Sequence, residues 1–110
     1  MKIDWTLTSN GEDLIHIEDA LCEYSKENYL KFLEDEVINL IDLKNKLYKR
    51  KSKEYNMEID FNNNICNFTF DTGESCSFDI NSTMEVFDNE IKLRYILDDE
   101  EKVVKILLKG

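Results

Sequence analysis

Apolar and polar residues alternate along the first eight positions of the chain. Ile3, Trp5 and Leu7 are separated by single polar residues. A period of two places these three side chains on one face of an extended backbone, so the pattern predicts a short N-terminal β-strand.

The segment 9–24 fits two structures. Four of its apolar residues recur at helical spacing: Leu14, Ile17, Leu21 and Tyr24. Ser9, with Glu12 three residues later, also matches a capping box, so we favour a short helix. The alternative is a hairpin that turns at Asn10-Gly11, a pair typical of two-residue turns, with Ile15 and Ile17 in its second strand.

A longer helical pattern runs from Lys26 to about Lys51, after Ser25 as a possible cap. Its apolar residues recur every three or four positions, at Leu30, Leu33, Val37, Leu40 and Leu47, widened by Tyr29, Phe32, Ile41 and Tyr48. This spacing predicts a long amphipathic helix. Six cations crowd near its end, where they would interact favourably with the helix dipole: Lys44, Lys46, Lys49, Arg50, Lys51 and Lys53.

After Lys53 the period changes to two in five short runs. They lie at 55–61, 66–70, 76–80, 91–97 and 104–108. Short alternating runs joined by turns predict an antiparallel meander with one apolar face, which the long helix would cover. Residues 81–89 fit an extra strand or a buried loop. The expected fold is therefore α+β, with about five strands, one long helix, and residues 1–110 as a single domain.

The strand register follows from the need for paired residues to share a face. Three sets of pairs satisfy that need: Phe61 with Cys66; Phe68 with Cys76 and Cys66 with Phe78; Tyr95 with Val104 and Leu93 with Ile106. The second set requires a three-residue loop, Asp71-Thr72-Gly73, with Gly73 in the left-handed region. It also predicts reduced, buried thiols at positions 66 and 76.

Composition narrows the function classes. The chain has 110 residues and a net charge of −10, so we expect no nucleic-acid or membrane partner. No apolar run approaches a membrane span, and the N-terminus has no signal-peptide pattern, which predicts a cytoplasmic protein. Cys22, Cys66, Cys76 and His16 have no metal-ligand spacing, and we expect no cofactor or metal.

One stretch looks catalytic. Phe70-Asp71-Thr72-Gly73, with Ser75, resembles the active-site signature of aspartic proteases, and that resemblance implies that Asp71 would share a proton with the same residue of a partner chain. Glu74 stands where that family usually has a small residue, and the family's later apolar-apolar-Gly segment has no counterpart here. A hairpin loop explains these residues, so we expect no enzyme. The protease is kept as the third hypothesis, after the two functions given below.

Acidic side chains are the candidate binding residues. They lie on the polar face of the predicted sheet and at its turns: Glu58, Asp60, Asp71, Glu74, Asp79, Asp98, Asp99, Glu100 and Glu101. Such groups attract a basic protein and could replace substrate phosphates in the cationic cleft of a nuclease.

In general character, a short acidic α+β domain rich in Asn, Lys and Ile, the chain resembles small bacterial immunity proteins of contact-dependent growth-inhibition systems. The resemblance implies a protein that binds and neutralises a cognate basic toxin. The alternative is a structural or regulatory homo-oligomer, with Ile96, Val103 and Leu107 at a homodimer contact.

Overall fold

The computed structural model describes all 110 residues, which form eleven β-strands and no helix. The strands are β1 (Lys2–Ser9), β2 (Glu12–Ser25), β3 (Tyr29–Glu34), β4 (Val37–Asp42), β5 (Leu47–Lys51), β6 (Tyr55–Asp60), β7 (Ile65–Phe70), β8 (Ser75–Asp79), β9 (Ser82–Val86), β10 (Glu90–Leu97) and β11 (Glu100–Leu108). All pairings are antiparallel. The chain divides into two compact units.

Unit 1 comprises Met1–Leu21 and Ile80–Gly110. Its strand order is β2-β1-β11-β10-β9. The register places alternate residues of β1, β10 and β11 in rows, for example Trp5 opposite Ile106 and Ile106 opposite Ile91. These rows form a buried face of aliphatic and aromatic side chains: Ile3, Trp5, Leu7, Ile91, Leu93, Tyr95, Val104 and Ile106.

Unit 2 comprises Cys22–Asp79. The end of β2 and strands β3 to β8 pair in chain order as a meander. Its buried residues again lie on one face: Leu30, Phe32, Asn39, Ile41, Tyr48, Met57, Ile59 and Cys66, with Phe61 in a loop. Strand β8 pairs only with β7 and is the terminal strand of this unit.

The predicted α+β class and its long helix are wrong, because residues 29–51 form β3, β4 and β5. The buried positions there have a period of two: Leu30 and Phe32 are covered, whereas Leu33 is 63% exposed. The apparent helical stripe arose because apolar residues occupy both faces of these strands. Asp35 and Lys46 have positive φ, at 52° and 57°, and a left-handed residue interrupts a right-handed helix.

The predicted short helix is also wrong, and the hairpin alternative is confirmed. Asn10-Gly11 has φ of 50° and 84°, as the turns of two-residue hairpins require. Strand β2 then carries two β-bulges against β1, at Glu18-Asp19 and at Leu14. Leu14 and Leu21 are 54% and 74% exposed, whereas Ile17 is half-buried, so the apparent helical spacing joins residues from both faces of β2.

The predicted loop at Asp71-Thr72-Gly73 is confirmed. Cys66 and Phe68 pair with Phe78 and Cys76, Gly73 has φ of 92°, and the Phe70 N–H donates to the Glu74 carbonyl at 2.8 Å. Nothing lies within 4 Å of a Cβ built on Gly73, so backbone conformation, and not space, requires the glycine.

Two other predicted registers are wrong by two residues. Cys66 pairs with Ile59 and not with Phe61, and Val104 pairs with Leu93 and not with Tyr95. A register shift of two residues leaves every side chain on the same face of the sheet. The requirement that paired residues share a face therefore could not reveal it. The loop after β6 is longer because the Asp60 carboxylate accepts hydrogen bonds from the N–H groups of its residues 62 and 63.

The last hairpin turns more tightly than the predicted pairing of Tyr95 with Val104 implies, since that pairing would leave residues 98–101 in the loop. Leu97 pairs with Glu100, so the loop is Asp98-Asp99, with φ of 53° and 61°. Aspartate tolerates the left-handed region better than most residues. Within the ambiguous segment 81–89, Ser82–Val86 is strand β9.

Candidate functional site

The candidate acids of unit 2 lie in two places. The register puts Glu58, Asp60 and Asp79 on the face of the sheet opposite the buried one. Asp71 and Glu74 lie at the β7–β8 loop, where Glu74 shares a face with Phe70 because the two residues form a pair. The structure therefore does not bring all five together.

Some of these carboxylates already have protein partners. Asp60 accepts hydrogen bonds from the Asn63 side chain at 2.8 Å and from the N–H groups of Asn62 and Asn63. These bonds, led by the Asn63 side chain, hold the pKa of Asp60 below its usual value. Glu58 lies 3.7 Å from the Lys49 ammonium. Asp60 is therefore a structural group of its loop.

The acidic tip of unit 1 is partly neutralised. Glu100 pairs with Lys102 and Glu101 with Arg94, each at 2.8 Å. The hydrogen bond from Lys102 is the main reason why the pKa of Glu100 is lowered. Only Asp98 and Asp99 at the turn have no ion pair, which makes this tip a weaker candidate than its sequence suggests.

Four aromatic side chains form a cluster at the open end of unit 2. Phe68 is its centre: its ring lies 5.9 Å from Tyr55, 6.2 Å from Phe70 and 5.8 Å from Phe78, between ring centroids. Phe70 and Phe78 are 41% and 38% exposed. We call Tyr55, Phe68, Phe70 and Phe78 the aromatic cluster. Sequence reasoning missed it because the predicted helix covered this face.

Acids border the aromatic cluster. Glu74 lies opposite Phe70, and the Asp71 N–H donates to the carbonyl of Glu54 at 3.0 Å, which brings a third acidic residue to the same loop. All three are exposed. Residues 54–79, which include β6, β7 and β8, contain six acids and no lysine or arginine. We call Glu54, Asp71 and Glu74 the acidic rim.

The cysteines are all free thiols. Cys66 is fully buried, as predicted, and burial raises its pKa to about 11, with a smaller contribution from the neighbouring Cys76. Burial also raises the pKa of the half-buried Cys22. The prediction that Cys76 is buried is wrong: it lies exposed on β8, opposite Phe68, because β8 is terminal and nothing covers that face.

Unit 1 holds a cluster of three polar side chains, Thr6, His16 and Glu18, that the sequence did not indicate. The Thr6 hydroxyl and the Glu18 carboxylate lie 2.8 and 3.2 Å from the two ring nitrogens of His16. The side chains of His16 and Glu18 are 51% and 68% exposed. Water surrounds this chain of hydrogen bonds, so it lacks the exclusion of solvent that strengthens catalytic groups.

The predicted homodimer contact is only partly open. Leu107 is 41% exposed, whereas Ile96 and Val103 are half-buried and lie opposite Glu101 and Arg94. No group of three or more His, Cys, Asp or Glu side chains is placed to hold a metal ion. No helix in the structure could span a membrane.

Comparison with known proteins gives no relative. No protein-family model, curated protein or solved structure matches the chain.

Proposed function

We propose that the chain is an acidic binding protein that recognises a cationic protein through the aromatic cluster and its acidic rim. In the particular form that we favour, the partner is a basic toxin, nuclease-like in its charge, and the chain is the immunity protein that occludes its active site. The observation that carries the proposal is the half-exposed aromatic cluster beside three acids, in a segment with no cation.

The aromatic cluster supplies the anchor. Phe70 and Phe78 are held by contact with Phe68, so little side-chain freedom is lost when a partner covers them. Exposed aromatic side chains at the centre of an interface typically account for most of its binding energy. A partner pocket that accepts these two rings would therefore set the lifetime of the complex.

The acidic rim supplies attraction and selectivity. With a net charge of −10, the chain attracts cations over roughly one Debye length, about 8 Å at physiological salt. Acids at a rim mainly raise the association rate, while they repel anionic surfaces. Glu54, Asp71 and Glu74 would lie against lysines or arginines that a nuclease uses to hold phosphate.

The first test uses the protein encoded by the neighbouring gene, because the immunity proposal predicts that this gene encodes the toxin. We expect co-expression of this chain to protect cells from that product, and the purified proteins to form a complex whose association rate falls as salt rises. A neighbouring product that is not toxic, or from which the chain gives no protection, would show that the immunity proposal is wrong.

The second test locates the surface. Phe70→Ala with Phe78→Ala should weaken the complex at least tenfold, chiefly through faster dissociation, whereas Glu54→Gln with Glu74→Gln should chiefly slow association. Phe87→Ala is the matched control, because Phe87 is an aromatic residue of unit 1 that is 52% exposed. Equal losses for the Phe87 and Phe70/Phe78 variants would exclude the aromatic cluster as the site.

A further inference from the structure

Strand β8 presents an unpaired backbone edge beside the aromatic cluster. It pairs with β7 on one side and with no strand on the other, and all five of its residues are exposed. Natural sheets usually protect such an edge with lysine, proline or a bulge. Ser75–Asp79 contains neither lysine nor proline, and its pairing with β7 runs without irregularity.

The hydrogen bonds of the hairpin show which backbone groups are free. The Phe70 N–H donates to the Glu74 carbonyl, so this pair is a hydrogen-bonded one, and in an antiparallel ladder such pairs alternate with non-hydrogen-bonded ones. Cys76 and Phe78 therefore direct their N–H and C=O groups towards β7. Ser75, Ser77 and Asp79 direct theirs away from the sheet.

The two faces of this edge differ in chemistry. Cys76 and Phe78 continue the face of the aromatic cluster, whereas Ser75, Ser77 and Asp79 lie on the opposite, polar face. On that polar face the Ser77 hydroxyl donates to the Asn67 side chain, and no cation occurs in strands β6 to β8. A strand added at this edge would meet apolar groups on one side and hydroxyls and a carboxylate on the other.

We propose that β8 binds an extended segment of the partner by strand addition, and that this segment alternates apolar and cationic residues. The apolar side chains would lie beside Phe78 and Cys76, and the cationic ones beside Asp79 and the two serines. The identity of the partner rests on the proposed function, but the mode of binding does not. The backbone groups of three residues give the affinity, and the alternation gives the selectivity.

A second copy of the chain is the less suitable occupant. Antiparallel pairing of two β8 strands around Ser77 would bring the Asp79 of each copy to the start of β8 in the other, near Glu74. Each copy also carries a net charge of −10, so their approach is repulsive. Charge complementarity therefore favours a cationic partner.

The test uses a nine-residue peptide of alternating lysine and valine, titrated into the intact chain. We expect amide hydrogen exchange at Ser77 to slow at least tenfold at saturation, with smaller changes at backbone positions 76 and 78. A peptide methylated at alternate backbone nitrogens, on its pairing edge, should bind at least tenfold more weakly, as should a peptide of alternating glutamate and valine. Equal binding of the methylated peptide would overturn strand addition, and equal binding of the glutamate peptide would overturn the cationic preference.

Substitutions on the chain give the second measurement. Ser77→Pro removes an outward N–H and should reduce peptide affinity at least tenfold, while Ser77→Thr keeps that N–H and should bind normally. Val86→Pro is the control: it removes an N–H from β9, the terminal strand of unit 1, where Phe87 bonds to Glu90 and so leaves position 86 facing outwards. Equal weakening by Ser77→Pro and Val86→Pro, or none by Ser77→Pro, would contradict the proposal.

These results separate the two proposals. If the lysine–valine peptide binds at β8 but the neighbouring gene product does not bind, the toxin partner is wrong and strand addition stands. If the product binds Ser77→Pro as tightly as the original chain, while the Phe70/Phe78 variant weakens it, the proposed function stands and strand addition is wrong. A dimer that forms with rising concentration and is abolished by Ser77→Pro would identify a second copy as the occupant and overturn the cationic partner.

Discussion

The two units bury faces of different chemistry. Unit 1 buries only apolar and aromatic side chains, whereas unit 2 buries Asn39 completely and holds an ion pair between Arg50 and Glu34 at 2.9 Å, with side chains 15% and 13% exposed. Asn39 accepts a hydrogen bond from the Tyr48 hydroxyl at 2.8 Å. Its amide nitrogen has no hydrogen-bond partner, which costs unit 2 stability.

The difference suggests a division of tasks between the units. A buried polar group is rarely the most stabilising choice, but it penalises any strand shift that separates it from its partner. The Tyr48–Asn39 hydrogen bond joins β5 to β4, and the ion pair with Glu34 joins Arg50 to β3, so a slip of β5 would separate both pairs. We infer that unit 1 contributes packing, and that unit 2 trades some stability for a fixed register on the face that carries the aromatic cluster.

The largest expected effect is a loss of stability when the buried face of unit 1 is changed. Ile106 is fully buried between Trp5 and Ile91, so Ile106→Ala should lower the free energy of unfolding by about 2–5 kcal/mol, from lost burial and an unfilled cavity. Phe78→Ala, on the open end of unit 2, should cost about 1 kcal/mol, because its ring is 38% exposed. Urea unfolding of both variants measures the difference. Similar losses would mean that the aromatic cluster is core and not a surface for a partner.

A smaller effect tests the buried polar group of unit 2. Tyr48→Phe removes the hydroxyl that donates to Asn39, so a buried carbonyl oxygen loses its partner at a cost of about 1–3 kcal/mol. Combining Tyr48→Phe with Asn39→Leu should cost less than the sum of the two single changes, because the polar group that needs a partner is then gone. A double-mutant cycle from urea unfolding gives the coupling. Strict additivity would show that the two side chains do not act together.

Local alternation predicted much of the fold but not its class. The strands of residues 55–70 and the loop at Gly73 follow from alternation and from the backbone needs of a turn, which are local properties. The helix at 26–51 was predicted because Leu33 and Leu40 extend the apolar spacing across both faces of β3 and β4. Only pairing with neighbouring strands decides between these periods, and pairing is not local. The positions of the acidic residues are visible in the sequence. Whether Arg94 or Lys102 neutralises one of them depends on which residues the strands bring together.

The aromatic cluster also shows what local sequence patterns could not predict about the candidate site. Phe68, Phe70 and Phe78 were correctly placed on one apolar face, yet the sequence could not show that the end of this face is uncovered. Exposure depends on which strand is terminal, and that is a property of the whole sheet. The same reason explains why Cys76 was expected to be buried although it lies at the surface.

The smallest expected effect concerns how the stability of each unit falls at acidic pH. In unit 1, the Asp19 N–H and the Lys109 ammonium each lie 3.0 Å from the Asp4 carboxylate. The hydrogen bond from Asp19, and then the one from Lys109, hold the pKa of Asp4 below its ordinary value of 3.8. A carboxyl with a lowered folded-state pKa contributes stability above its unfolded pKa and loses it as pH falls through the folded one.

Unfolding by urea between pH 6 and pH 2.5 should therefore show less loss of stability in Asp4→Asn than in the original chain. Asp60→Asn should have a similar effect in unit 2, because hydrogen bonds also lower the pKa of Asp60. Asp88→Asn changes the net charge equally at an exposed turn, and we expect it to keep the original pH dependence. If all three variants flatten the curve alike, net charge governs acid sensitivity, and the hydrogen bonds that hold the β1–β2 bulge contribute nothing to it.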